Sequence, residues 1–287
     1  MTEPRIGVAT CAAAPQLDED GPLLLAALAD VGVRARPVVW DDPRVDWAAF
    51  DAVLVRSTWD YPLRREEFLA WTARCPAMVN PREVLAWNTD KHYLDDLARA
   101  GVPTIPTVFV PPDHSWTAPE GDYVVKPTVS GSAADTGRFR RPDDPGALAL
   151  VARLHAQGRT AMVQPYLPGI ERDGETSVVF LGGVLSHAVR REPLLTVDGV
   201  RAAVVVADVL GSVREVRVTD AQRAVAEAAL AAVPGGRQQL GYARVDLVPG
   251  PTGPVVLEVE ATDCFLFLAS ASAEGRRRLA EHVVAQL

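Results

Sequence analysis

The 287-residue sequence has only three cysteines, widely spaced and without a C-x-x-C, so neither a disulfide framework nor a cysteine zinc site is encoded. Its five histidines do not pair at ligand spacing. No G-x-x-x-x-G-K-[ST] occurs and no G-x-G-x-x-G follows the first apolar stretch, which excludes a Walker loop and a dinucleotide fingerprint. No apolar run approaches the ~20 residues of a membrane span. Basic excess is missing too: 29 Lys and Arg face 37 Asp and Glu, a net charge of −8, so a nucleic-acid partner is not expected. Nucleophilic triads of the Ser-His-Asp or Cys-His kind are also absent. The early "IGVATCAAAP" looks like a short signal core, but Glu3 precedes it and "RIGVAT" reads as a first strand. A cytoplasmic protein with no membrane partner is the expectation.

What is present describes an ordinary globular chain, 48% hydrophobic and 23% charged, long enough for a large core or several small domains. Residues 5–10 predict a strand and "GPLLLAALADVG" a helix closed by Gly32. "RARPVVW" and "FDAVLVRS" follow as strands and "RREEFLAWTARC" as a helix, the start of an α/β layer. Helical segments then run to Gly101, with Pro103 just beyond. "TAMVQPYLPGI", "ETSVVFLGGVLSHAVRRE" and "RAAVVVADVL" predict strands of an antiparallel sheet, with Gly182-Gly183 as a hairpin turn. "TDAQRAVAEAALAAVP" predicts a helix capped by Thr219 or Asp220, and a last helix closes the chain.

One stretch breaks the pattern. "RVDLVPGPTGPVVLEVE" (244–260) reads as a β-hairpin, yet Asp246, Glu258 and Glu260 stand inside its apolar runs. Glu258 and Glu260 share a face, and a turn near Thr252 places Asp246 opposite Glu258. Like charges across a strand pair repel unless a cation lies between them. The face is either solvated or an oxygen-ligand site for Mg²⁺.

Other candidates are weaker alone. "VVKPTVSGSAADTGRF" puts Lys126 before a loop of small residues whose backbone N–H groups could approach phosphate, or is a surface loop beside a solvated lysine. Lys91 in "WNTDKHYL" could be a solvent-facing helix residue, and "MVQPYLPGI" a mere strand end. "VLVRSTWDYP" ends a strand where open α/β sheets bind ligands. There Arg56 could grip a carboxylate and Asp60 an amine, or both could belong to a salt-bridged loop. In "SHAVRRE", Arg191 shares a face with His187.

In order along the chain, these segments resemble the ATP-grasp superfamily, and within it the glutathione-synthetase-like branch of small bacterial amino-acid ligases, to which cycloserine-forming ligases belong. The resemblance covers nearly the whole chain, from "RSTWDY" through "VVKPTVSGSAADTGRF" to "LEVEATDCFLFL". It implies an α/β (α+β) ATP-grasp fold: an N-terminal Rossmann-like pre-ATP-grasp domain (1–90), a small lid subdomain (91–166) and a C-terminal antiparallel-sheet catalytic subdomain (167–287). It implies that Lys91 and Lys126 hold the ATP phosphates under a lid carrying Ser130, Gly131 and Ser132. Gln164, Tyr166 and Leu167 would face the adenine, and Glu171 would take the ribose. Asp246, Glu258 and Glu260 would bind two Mg²⁺ ions, and Arg244 would stabilise the transferred phosphoryl group. In many relatives the position of Glu260 is Asn.

The resemblance implies an ATP-dependent ligase that joins small amino-acid-like substrates through an acylphosphate, giving ADP and phosphate. Arg56, Asp60 and Arg191 are the substrate-binding candidates, and a homodimer is compatible with this class. Ring closure of one amino-acid derivative and a small-molecule kinase are the alternatives. Two stretches depart from the branch. "LLTVDGVRAAVVVADV" stands in place of a Gly-Asp-Phe-Arg-like segment, with Arg201 a candidate substitute, and "ATDCFLF" in place of an apolar-Glu-Pro. Both are expected to line the acceptor pocket.

Overall fold

A computed structural model describes residues 3–131, 133–193, 195, 199–201 and 213–287. Its first sheet is parallel, with β1 (Arg5–Thr10) between β2 (Arg34–Val39) and β3 (Ala52–Val55). Strands covered on both faces need largely apolar residues, and β1 beyond its exposed Arg5 and the whole of β3 are buried. Ile6, Val8 and Leu54 pack under α1 (Gly21–Asp30), which also touches the last helix, α8 (Ala273–Ala285). Ala9, Val53 and Val55 face an aromatic cluster of Trp40, Trp47, Phe68 and Trp71. Phe68 and Trp71 come from α2 (Arg65–Thr72). α3 (Arg82–Asn88) and α4 (Tyr93–Arg99) then lead away from this sheet.

The second sheet has the order β10 (Gly199–Arg201), β6 (Thr136–Phe139), β5 (Tyr123–Pro127), β7 (Ala161–Pro165), β4 (Val108–Val110), every pair antiparallel. α5 (Pro145–Ala156) buries Ala147, Leu150, Val151 and Leu154, in the same core cluster as Tyr123 and Val125 of β5. The third sheet runs β11 (Arg214–Glu215), β9 (Val184–Arg191), β8 (Glu175–Leu181), β12 (Tyr242–Pro249), β13 (Pro254–Glu260), again antiparallel. α7 (Asp220–Ala231) packs on β12 and β13, and its start is fixed by a capping box between Thr219 and Gln222.

Sequence periodicity placed β7 and β8 in one antiparallel sheet; they belong to two. The short helix α6 (Gly169–Asp173) and Gly174, at φ +66°, turn the chain from one sheet to the next. The Gly182-Gly183 turn has φ of 59° and 71°, as a tight hairpin requires. A Cβ on Gly183 would meet the Arg237 carbonyl oxygen at 2.8 Å. The "RAAVVVADVL" stretch beyond Arg201, and the side chain of Arg201, lie outside the described residues. No described helix is long and apolar enough to cross a membrane.

Candidate ligand cavity lined by the two antiparallel sheets

A cavity of about 510 Å³ is lined by residues of the second and third sheets and by the Trp59–Leu63 stretch after β3. The expected acidic hairpin forms one wall. Asp246 of β12 pairs in register with Glu258 of β13, and Arg244 with Glu260, with the turn at residues 250–253. Alternation therefore puts Arg244, Asp246, Glu258 and Glu260 on one face, and all four line the cavity.

Cations of the chain hold these carboxylates. Arg244 donates Nε to Asp246 Oδ1 and Nη2 to Oδ2, each at 2.9 Å, and Nη2 also lies 2.9 Å from Glu260 Oε1. Arg191 donates Nη2 to Asp246 Oδ2 and to Glu175 Oε2, each at 2.9 Å. Ser177 Oγ donates to Asp246 Oδ1 at 2.7 Å. Burial alone would raise the Asp246 carboxyl, but Arg244 and Arg191 outweigh it and hold it down to about 2. Glu260 goes the other way: burial, opposed by Arg244 and reinforced by Glu258 and Asp246, pushes it up to about 7.

The two expected lysines meet here. Lys91, whose backbone N–H is tied to the Thr128 carbonyl, donates Nζ to Ser130 O at 2.9 Å and Oγ at 3.1 Å and lies 3.0 Å from Glu258 Oε1. Lys126, on β5, is buried in the cavity wall and has no ion-pair or hydrogen-bond partner for Nζ among the described residues. Burial pushes its ammonium pKa down, with Glu258 opposing and Lys91 reinforcing. Ser130 and Gly131 line the same cavity, while Ser132 lies outside the described residues.

Gln164, Tyr166 and Leu167 line the cavity where β7 ends. Gln164 Nε2 donates to Thr107 Oγ1 at 2.8 Å, and the Arg138 guanidinium sits 3.5 Å over the Tyr166 ring. Glu171 is not in the lining: α6 turns its side chain outward, where Arg138 Nη1 donates to it at 2.6 Å.

Two substrate candidates are placed elsewhere. Arg56 is 1% exposed and lies outside the lining. Its guanidinium contacts Asp18 and Asp20 at 3.3 Å and the Cys264 carbonyl at 2.7 Å, because a buried cation must be paired. Asp60 accepts from Trp40 Nε1 at 2.9 Å and from Arg64 at 3.1 Å, a loop brace outside the cavity. Arg191, the third candidate, does line it.

Several lining residues escaped sequence reasoning: Trp59, Tyr61, Glu175, Arg159 and Asp263. Trp59 and Tyr61 had a positional signal in "VLVRSTWDYP", and Asp263 in the divergent "ATDCFLF". That loop is tied down by distant side chains. Asp20 accepts the backbone N–H groups of Leu266 and Leu268, each at 2.7 Å, and Tyr242 Oη donates to Thr262 O at 2.8 Å. Arg244 donates to Phe265 O at 3.0 Å and His187 Nε2 to Leu266 O at 2.8 Å. Thr58 Oγ1 donates to Asp263 Oδ2 at 3.0 Å. Burial, opposed by Arg56, pushes the Asp263 carboxyl up to about 8.

For a metal, the donor chemistry is all oxygen, which suits a hard divalent cation. Among the described residues no three acidic, His or Cys side chains form a ready cage. Both oxygens of Asp246 are engaged, whereas Oε2 of Glu258 and of Glu260 has no partner among the described residues. That pattern fits Mg²⁺, which takes one or two carboxylates and completes its shell with phosphate oxygens and water.

Comparison with known proteins gives consistent similarity. Residues 6–82 match the family described as D-cycloserine synthetase DcsG, N-terminal domain. The chain is 38% identical to the cycloserine biosynthesis protein DcsG of Streptomyces lavendulae, over 98% of each chain. It superposes on the crystal structure of D-cycloserine synthetase DcsG with a TM-score of 0.89 at 35% identity, covering 98% of this chain and 99% of that one. The RimK domain protein ATP-grasp from Sphaerobacter thermophilus DSM 20745 shares the fold at a TM-score of 0.67 and 18% identity, covering 98% and 99%.

Proposed function

This chain belongs to the D-cycloserine synthetase family of ATP-grasp ligases, and we propose that its cavity uses ATP to join a carboxylate to an amine nitrogen through an acylphosphate. One observation carries the reading: Lys91, Lys126 and an acidic, arginine-laced sheet face meet in one cavity that also holds the end of β7.

The chemistry explains this apparatus. A carboxylate is a poor electrophile because its leaving group would be oxide. Attack of a carboxylate oxygen on the γ-phosphorus forms an O–P bond, breaks the bond to the β-phosphate oxygen and releases ADP. The nitrogen then attacks the acyl carbon, the C–O bond breaks, and phosphate leaves. Such steps need positioning and charge stabilisation more than a nucleophilic side chain.

In this reading Lys91 and Lys126 hold the phosphates, with Ser130 and Gly131 closing over them and Ser132 in the same loop. The end of β7, from Gln164 to Leu167, receives the adenine, and Glu171 must leave Arg138 to reach the ribose. Glu258 and Glu260 would hold Mg²⁺, and Asp246 would join them when a ligand draws Arg191 or Arg244 away; two ions would be accommodated. Mg²⁺ bound there neutralises phosphate oxygens. Arg244 stabilises the transferred phosphoryl group and Arg191 orients the substrate carboxylate. The boundaries at residues 90 and 166 belong to the same proposal, separating a substrate-binding domain, a lid and a catalytic sheet.

D-cycloserine, the compound in the relatives' name, is a five-membered ring closed by a carbonyl–nitrogen bond. Closure within one D-serine derivative bearing nitrogen on its side-chain oxygen is therefore favoured here over joining two separate amino acids. The test is phosphate release with MgATP and that derivative alone, then with amino-acid pairs, followed by product mass. Equimolar ADP and phosphate from the single organic substrate is expected. A strict requirement for two substrates overturns the cyclisation, and a stable phosphorylated product overturns the ligase.

A further inference from the structure

The other acidic side chains that line the cavity all face a cation of the chain. Asp135 pairs with Arg159, Glu175 and Asp246 with Arg191, Glu258 with Lys91, and Glu260 with Arg244. Asp263 is the exception among the described residues: it accepts from Thr58 and has no ion pair, the Arg56 guanidinium acting on it only at longer range. A carboxyl group buried without a cation in contact keeps its proton, and a ligand that brings a positive charge beside it draws it into the charged form.

Its surroundings suit a small cationic group. The Trp59 and Phe265 rings, 6.2 Å apart, and Tyr61 line the same cavity. Aromatic faces favour ammonium groups. The loop that carries Asp263 is held at its backbone by Asp20, Arg56, Arg244 and His187, so the carboxylate sits on a fixed support.

We propose that Asp263 receives the α-ammonium group of the amino-acid substrate, against the Trp59–Phe265 wall, and so fixes which end of that molecule faces the phosphoryl donor. The assignment rests on the ligase reading above but not on which nitrogen attacks. On binding, Asp263 gives up its proton to solvent and supplies a counter-charge and a hydrogen-bond acceptor; no covalent bond to the substrate is made at its carboxylate.

The test uses the full chain with MgADP and two probes, D-cycloserine and its amine-free ring, 1,2-oxazolidin-3-one, read by titration calorimetry. Wild type should bind D-cycloserine about tenfold or more tightly than the amine-free ring, the margin expected of a charge-assisted pair. Asp263→Asn should erase that margin while binding MgADP as wild type does. Equal affinity of wild type for the two probes overturns the assignment while the ligase reading stands, and this comparison does not depend on how the variant folds. A variant that keeps the full margin overturns it as well. Wild type that binds MgADP but neither probe overturns the ligand reading and the assignment with it.

Discussion

Two side chains of the cavity lining have no ion-pair partner among the described residues, the base Lys126 on β5 and the acid Asp263 in the loop after β13; the other acidic and basic side chains of the lining are paired. The contrast separates two uses of buried charge. Arg244, Asp246 and Arg191 neutralise one another in the ligand-free cavity wall. In the proposed reading, Lys126 meets a polyphosphate and Asp263 an ammonium group.

Substitutions can break this contrast. The largest effect belongs to the paired set. Arg244→Met removes the guanidinium shared by Asp246 and Glu260, and chemical denaturation should show a loss of about 3–5 kcal/mol, the scale for breaking a buried ion pair. Retention of full stability would mean that these carboxylates are solvated. Lys126→Met should behave oppositely. Phosphate release should fall about 10²–10³-fold, the loss seen when one preorganised charge contact is removed. The melting temperature of the ligand-free protein should hold or rise, since a desolvated, unpaired ammonium is gone. A marked drop in melting temperature would show that Lys126 is structural.

A third effect is a pH dependence. Asp263 titrates near 3.8 when unfolded and at about 8 when folded. The folded state therefore holds the extra proton between those values. Its contribution to stability is present at low pH and is lost as pH rises through about 8. Asp263→Asn lacks this slope, so the melting temperature of the variant minus that of wild type should grow from pH 5 to pH 9. A flat difference would show that the carboxyl is not buried as described.

The hairpin was legible because two-residue alternation and a Pro/Gly turn determine which carboxylates face one another, and the register follows. Lys126 before a small-residue loop was legible for a similar local reason. Arg56 was not, because its partners Asp18 and Asp20 lie 38 and 36 residues upstream, and they turn a strand-end arginine into a core ion pair. In the same "RSTWDYP" segment, Trp59 and Tyr61 point to the cavity instead. Glu171 sits six residues past the end of β7, and only the fold shows that Arg138 of β6 captures it. Asp263 is held by Thr58, 205 residues away, a partner that leaves no trace in local pattern.

The acylphosphate route is tested most directly by isotope transfer. The substrate carboxylate, labelled with ¹⁸O in both oxygens, is turned over with MgATP, and the released phosphate and nucleotide are weighed by mass spectrometry. One ¹⁸O in the phosphate, with unlabelled ADP, is the expected result. Label in AMP, or phosphate with none, would contradict it.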